Sequence, residues 1–148
     1  FKFREEIRLF NRPRTLEILY IISKNILNFF SPLLKKRRLT EKIFVATEKV
    51  SKGLLFNCQM CGQCILHSTG MICPMNCPKN LRNGPCGGVR NNGNCEIKPE
   101  MRCVWLKAWD ESQKMKVFGK EILTIQKPLD RRLQNTSAWL NEINNTSE

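Results

Sequence analysis

All eight cysteines of this 148-residue chain lie between Cys58 and Cys103, and the one histidine, His67, stands among them. The stretch that carries them is rich in Gly, Pro and Asn and poor in large aliphatic side chains. Such a stretch cannot bury enough apolar surface to fold by itself, so something covalent or metallic must hold it. The flanking chain differs, with apolar residues concentrated at Leu16–Leu34, Ile43–Phe56 and Val104–Ile125. The expected fold is a small, mainly α domain with an irregular cysteine-rich metal-binding module. Three parts are expected: a basic arm and two helices over 1–56, the eight-cysteine metal module over 57–105, and a C-terminal helix with a docking tail over 106–148.

Three uses of eight thiols compete: disulfides, zinc and iron–sulfur clusters. Disulfides need an oxidising compartment. No secretory segment is visible, and tight Cys-x2-Cys pairs close loops too short to restrict the unfolded chain much. The chain opens on Phe1 and so reads as a possible fragment, which leaves the missing targeting signal little weight. Reduced thiols imply a cytoplasmic protein. Cys58, Cys61 and Cys64 form a Cys-x2-Cys-x2-Cys run, a spacing that wraps the backbone around a compact body so that three thiolates converge. Zinc knuckles use pairs, with the second pair far along the chain. Cys73-x3-Cys77-Pro78 resembles the end of a ferredoxin-type run, although the gap from Cys64 to Cys73 is longer than a ferredoxin has. Cys86, Cys95 and Cys103 complete eight thiolates, the number required by two [4Fe-4S] clusters or by two four-thiolate zinc sites. One or two [4Fe-4S] clusters are the expectation and zinc the alternative. Amides of Gly-Pro-Cys86-Gly-Gly are candidate donors to cluster sulfides. His67 reads as a surface group or one beside such a centre rather than a ligand. Trp105 and Trp109, at i and i+4, read as a core stripe against the cysteine loops.

Helices are expected from a Thr15 cap to about Phe30, with a break at Pro32, and from a Thr40 cap to about Ser51, with Gly53 as the stop. A third is expected to open at Pro99–Glu100. In the first, Leu19, Ile22, Ile26, Phe29 and Leu33 share one face, and Ser23, Lys24 and Asn28 the other, so the helix docks on the fold or on a partner. In the second, Ile43, Ala46, Thr47 and Val50 share a face. Lys24, Asn25, Asn28 and Pro32 interrupt the longest apolar stretch, so no transmembrane segment is expected. Residues 1–57 hold 13 basic and 5 acidic side chains, +8 of the net +12, partly in the run Lys35-Lys36-Arg37-Arg38. Aromatic side chains do not interleave with these basic ones, so stacking platforms for nucleic acid are missing and none is expected to bind. A polar tail carries Leu129, Leu133, Trp139 and Leu140 as anchors.

The segments "FNCQMCGQC", "CPMNCPKNLRNGPCGG", "NGNCEIKPEMRCVW" and "LQNTSAWLN" resemble the small C-terminal module of the methylenetetrahydrofolate reductase family, including the MetV-type small iron–sulfur subunit. The resemblance covers roughly Phe56 to Asn141. It implies a subunit, not catalytic alone, that partners a flavin-containing reductase barrel and passes electrons toward the flavin or stabilises the barrel. A barrel needs about 250 residues, so this chain cannot contain one. It shows no phosphate-cradling glycine loop and no paired acid/base constellation; flavin and folate chemistry would belong to the partner.

Overall fold

Pro13 fixes where the first helix begins. A computed structural model describes residues 13–34 and 38–145, and α1 spans Pro13–Leu34. Proline at the first helical position has no N–H to leave unsatisfied and is preset for helical φ. The helix therefore starts before the expected Thr15 cap. Pro32 lies inside it and does not break it; so near the C-terminal end it withdraws only one backbone bond. The basic arm before Pro13, the Lys35–Arg37 part of the basic run and the side chains of Leu33 and Arg38 lie outside the described residues.

Helix α2, Arg38–Phe56, starts before Thr40 and runs through Gly53. Its end is set by Asn57, which takes φ 52°. Asn57 N donates to Gly53 O at 3.1 Å, and Cys58 N to Lys52 O at 3.3 Å. The first of these bonds, from a left-handed residue just past the helix to the carbonyl four residues back, is an αL C-cap, a position where asparagine can stand in for glycine. It delivers Cys58 straight off the helix end. Helix α3, Val104–Ser112, opens after the last cysteine, with Cys103 as N-cap; Pro99–Glu100 form a turn instead of the expected first turn of helix. Helix α4 spans Ala138–Asn145, and the Ser137 hydroxyl accepts from Leu140 N at 3.3 Å, an N-cap bond.

Between α2 and α3 the chain is turns and short 3-10 segments, at Leu66–Thr69 and Pro74–Asn76; two more, Gly119–Leu123 and Arg131–Leu133, lie between α3 and α4. Among the described residues there is no strand, only an isolated antiparallel bridge pairing Asn94 with Arg102. The fold is thus mainly helical around an irregular cysteine module, and no described helix is long and apolar enough to cross a membrane.

The core is small and sulfur-rich. One cluster gathers Leu16, Leu66, Met71, Cys73, Met75 and Met115, with Cys61, Cys64 and Phe56 packed on it. A second gathers Cys103, Trp105 and Ala108. Trp105 is 5% exposed and Trp109 47%, so only the first belongs to the expected stripe. The largest fully buried side chains are Glu48, Thr69, Ser112 and Ser137, none of them apolar.

The two N-terminal helices turn polar groups inward. On α1, Leu16 and Glu17 are buried while Ile18, Leu19, Ile22, Ile26 and Phe29 are exposed. Glu17 accepts from the backbone N–H groups of Lys116, Val117 and Phe118 at 3.1, 2.8 and 2.9 Å, which pins α1 to the loop after α3. On α2 the apolar face that includes Ile43 and Val50 is exposed, and the opposite face buries Glu48 and Lys52.

Candidate metal centre

The eight thiols divide into two groups of four. Cys58, Cys61, Cys64 and Cys73 line one cavity. Cys77, Cys86, Cys95 and Cys103 line another. The division does not follow the sequence motifs, because Cys73 and Cys77, with only three residues between them, go to different cavities. The turn Pro74–Asn76 between them sets this, holding Asn76 N on Cys73 O and Cys77 N on Pro74 O at 3.2 and 3.0 Å. Asn76 also ties the first loop down, donating to Phe56 O and accepting from Asn57 Nδ2 and Gln59 Nε2.

The first cavity is built on left-handed turns. Met60 has φ 51° and Gly62 φ 73°, which reverses the chain between successive cysteines. A Cβ on Gly62 would stand 2.2 Å from Leu133 O, so only glycine fits beneath the strap that crosses it. That strap, from Asp130 to Asn141, is bonded to the loop throughout. Gln63 Nε2 donates to Asp130 O at 2.8 Å and Gln63 Oε1 accepts from Asp130 N at 3.1 Å. Asn135 N reaches Met60 O at 2.8 Å, and Asn141 Nδ2 reaches Gly62 O at 2.8 Å.

Three thiols of this group share one local pattern. Cys58 Sγ accepts from Met60 N at 3.4 Å, and the N–H groups of Leu66 and Met75 serve Cys64 and Cys73 in the same way. Each donor lies two residues after its cysteine. A backbone N–H directed at sulfur stabilises the thiolate form, which is the form that binds metal. Burial works the other way, raising the Cys58 and Cys64 pKa values and pushing Cys73 up to about 12. A cation on the sulfurs would reverse that balance, since a coordinated thiol is deprotonated outright.

Two cationic side chains stand on the wall of the same cavity, Lys52 and Arg82. Lys52 Nζ lies 2.5 Å from Glu48 Oε1 and 4.5 Å from the centre of the Trp139 ring. Burial alone would lower its pKa, but Cys64 as thiolate, Glu48 and Cys58 together hold it above the ordinary value. Glu48 Oε2 meanwhile accepts from Ala138 N at 3.0 Å, at the start of α4. Arg82 donates through Nη2 to Gln63 O at 2.8 Å and through Nε to Lys127 O at 3.2 Å. Sequence reasoning missed Glu48 and Lys52, which look like solvated helix residues. Arg82 sits inside a motif singled out for its cysteine and glycines.

The second cavity is assembled by a tight loop in which Cys95 N donates to Met101 O at 2.8 Å and Cys103 N to Gly93 O at 2.9 Å. Trp105 covers it and is anchored by Nε1 on Leu81 O at 3.2 Å. Glu96 pairs with Lys79 at its rim. His67 lines neither cavity. Its ring stacks on Tyr20 at 5.2 Å between centroids, and burial lowers its pKa despite Glu121 nearby.

Among the described residues no three Cys, His, Asp or Glu groups converge closely enough to hold a single ion; the thiols of each group face a common cavity instead. The donor set still fits a thiolate-bound metal centre: four sulfurs per cavity and, at the first, sulfur-directed N–H groups with cations alongside. The residues that would hold such a centre are Cys58, Cys61, Cys64 and Cys73 in one cavity and Cys77, Cys86, Cys95 and Cys103 in the other.

Neither a curated protein nor a solved structure matches the chain. A family model does, over residues 38–132, a span that takes in α2, all eight cysteines, α3 and the start of the strap. That span exceeds half of the chain and begins further upstream than the cysteine motifs alone suggest. The chain belongs to the family described as methylene-tetrahydrofolate reductase C terminal.

Proposed function

We propose that this chain is the metal–thiolate accessory module of a methylene-tetrahydrofolate reductase, passing electrons to or from a flavin-containing catalytic barrel supplied by a partner. The observation that carries the reading is the division of eight thiols into two groups of four, each facing its own cavity. Iron–sulfur clusters bound there would supply one-electron transfer. The chain's own residues do the rest. The N–H groups two residues after Cys58, Cys64 and Cys73, and the Lys52 cation near Cys58 and Cys64, favour the anionic form of the sulfurs. Trp105, packed on Cys103, and the Asp130–Asn141 strap, bonded to the first cysteine loop, cover part of each cavity. The exposed apolar face of α1 is the surface offered to the barrel, since exposed patches of this kind mark interaction sites.

Anaerobic purification followed by iron, sulfide and zinc analysis tests this. Iron with acid-labile sulfide, and absorbance near about 400 nm that bleaches on reduction, is the expected result. Zinc without iron would make the module structural and overturn electron transfer. A metal-free, fully folded chain would overturn the metal reading itself.

A further inference from the structure

Arg82 has a charge that nothing among the described residues answers. Its two partners, Gln63 O and Lys127 O, are neutral carbonyls. Its Nη1 is buried with no hydrogen-bond partner. Lys52, the other cation on that wall, is already neutralised by Glu48. Buried N–H groups without acceptors are rare and costly, more so when charged. Four thiolates around a divalent ion, or around a cluster core of the same charge, leave two negative charges in a partly buried site. Such a charge needs a counter-charge or directed donors at close range.

We propose that Arg82 binds the anionic metal–thiolate body of the first cavity directly, through Nη1. This rests on the metal reading above. The carbonyls of Gln63 and Lys127 fix the guanidinium plane by its Nε and Nη2 edge, which leaves the remaining N–H groups for the cavity. Gln63 lies between Cys61 and Cys64, so the same side chain reads the shape of the cysteine loop and the charge that it encloses. The planar fork suits this double task, where an ammonium would not.

The test compares the full chain with Arg82→Lys and Arg82→Met, each checked for native helicity by circular dichroism. Metal is withdrawn by a chelator, and the phase belonging to the first cavity is identified by its absence in Cys61→Ser. A charged hydrogen bond contributes about tenfold or more to retention, so Arg82→Met should release that metal about tenfold faster than wild type, with Arg82→Lys between the two. Equal acceleration in both variants would mean that Arg82 only holds Gln63 and Lys127, and wild-type rates in both would remove it from the site; either result overturns the proposal. If the metal is iron, Arg82→Met should also lower the reduction potential. Tenfold less of the reduced form at a fixed potential corresponds to about 59 mV for a one-electron couple. Metal analysis of the wild type separates the two failures: a chain that binds none sinks the metal reading and this proposal together, whereas metal present with unmoved rates sinks only the role of Arg82.

Discussion

Lys52 and Glu48 form a buried ion pair one helical turn apart, at 2.5 Å, with side chains 9% and 1% exposed. Each also serves a second element: Lys52 faces the Trp139 ring, and Glu48 accepts from Ala138 N. The pair therefore couples α2 to α4 beside the first cavity. Removing one partner of a buried pair leaves an unpaired charge and costs about 3–5 kcal/mol. Lys52→Met should lose stability on that scale in urea unfolding. Glu48→Gln combined with Lys52→Met should recover most of it. A single variant as stable as wild type would show that the pair does not matter.

The two cavities make metal loss separable. Cys61→Ser should empty the first and spare the second, and Cys95→Ser the reverse, each halving bound metal. The double substitution should abolish it. Loss of all metal in either single variant would mean that the eight thiols build one joint centre.

Gly62 is the position where the strap touches the cysteine loop most closely. Alanine there would clash with Leu133 O and Thr136 Oγ1, at 2.2 and 2.6 Å. It would also be held at φ 73°, where a Cβ costs about 1–2 kcal/mol. Gly62→Ala should release the Asp130–Asn141 strap. Hydrogen exchange should then rise at Asn135 N, which is bonded to Met60 O. Unchanged protection at that amide would refute the close contact.

Much of this arrangement was legible in the cysteine spacing. A stretch so poor in aliphatics had to use its thiols, and the core clusters do contain Cys73 and Cys103. The pairing of thiols into groups was not legible, because a 3-10 turn at Pro74 separates Cys73 from Cys77, and spacing records distance along the chain, not direction. The helix faces were legible as faces, but not which of them the chain itself buries. On α2 the usual rule of apolar inward is reversed at Ile43 and Val50, since Glu48 and Lys52 have partners inside that a periodicity cannot reveal. Trp139 was expected as an anchor of the tail, without the surface that it meets. Its ring is half-buried within the chain, against Lys52 and edge-on to Phe44.

Acid should undock α1. Burial raises the pKa of Glu17, but the N–H groups of Phe118, Lys116 and Val117, aided by Arg14, outweigh it and leave the carboxyl below its ordinary value of 4.5. A depressed folded pKa means that the unfolded chain binds more protons in acid. The stabilisation is complete above about pH 4.5 and lost as pH falls through the folded pKa. Glu17→Gln should cost about 2 kcal/mol at neutral pH, as for loss of a charged hydrogen bond, and flatten the stability profile below pH 4.5. A variant that keeps the wild-type acid limb would assign that limb to other groups.

The exposed stripe of α1 separates stability from partnership. Ile22 and Phe29 are 49% and 78% exposed, so replacing them by aspartate removes little that the isolated chain buries. Surface changes of this kind usually alter stability by no more than about 0.5 kcal/mol. Burying such side chains against a partner is worth about 1.5–3 kcal/mol each. Ile22→Asp with Phe29→Asp should therefore leave melting temperature and metal content unchanged while weakening association with the proposed barrel partner at least about 100-fold. Calorimetric titration of the metal-loaded chain with the barrel reads the affinity. Wild-type affinity in the double variant would move the contact elsewhere, for instance to the Ile43 and Val50 face of α2. A large loss of stability would mean that the stripe is already covered within the chain.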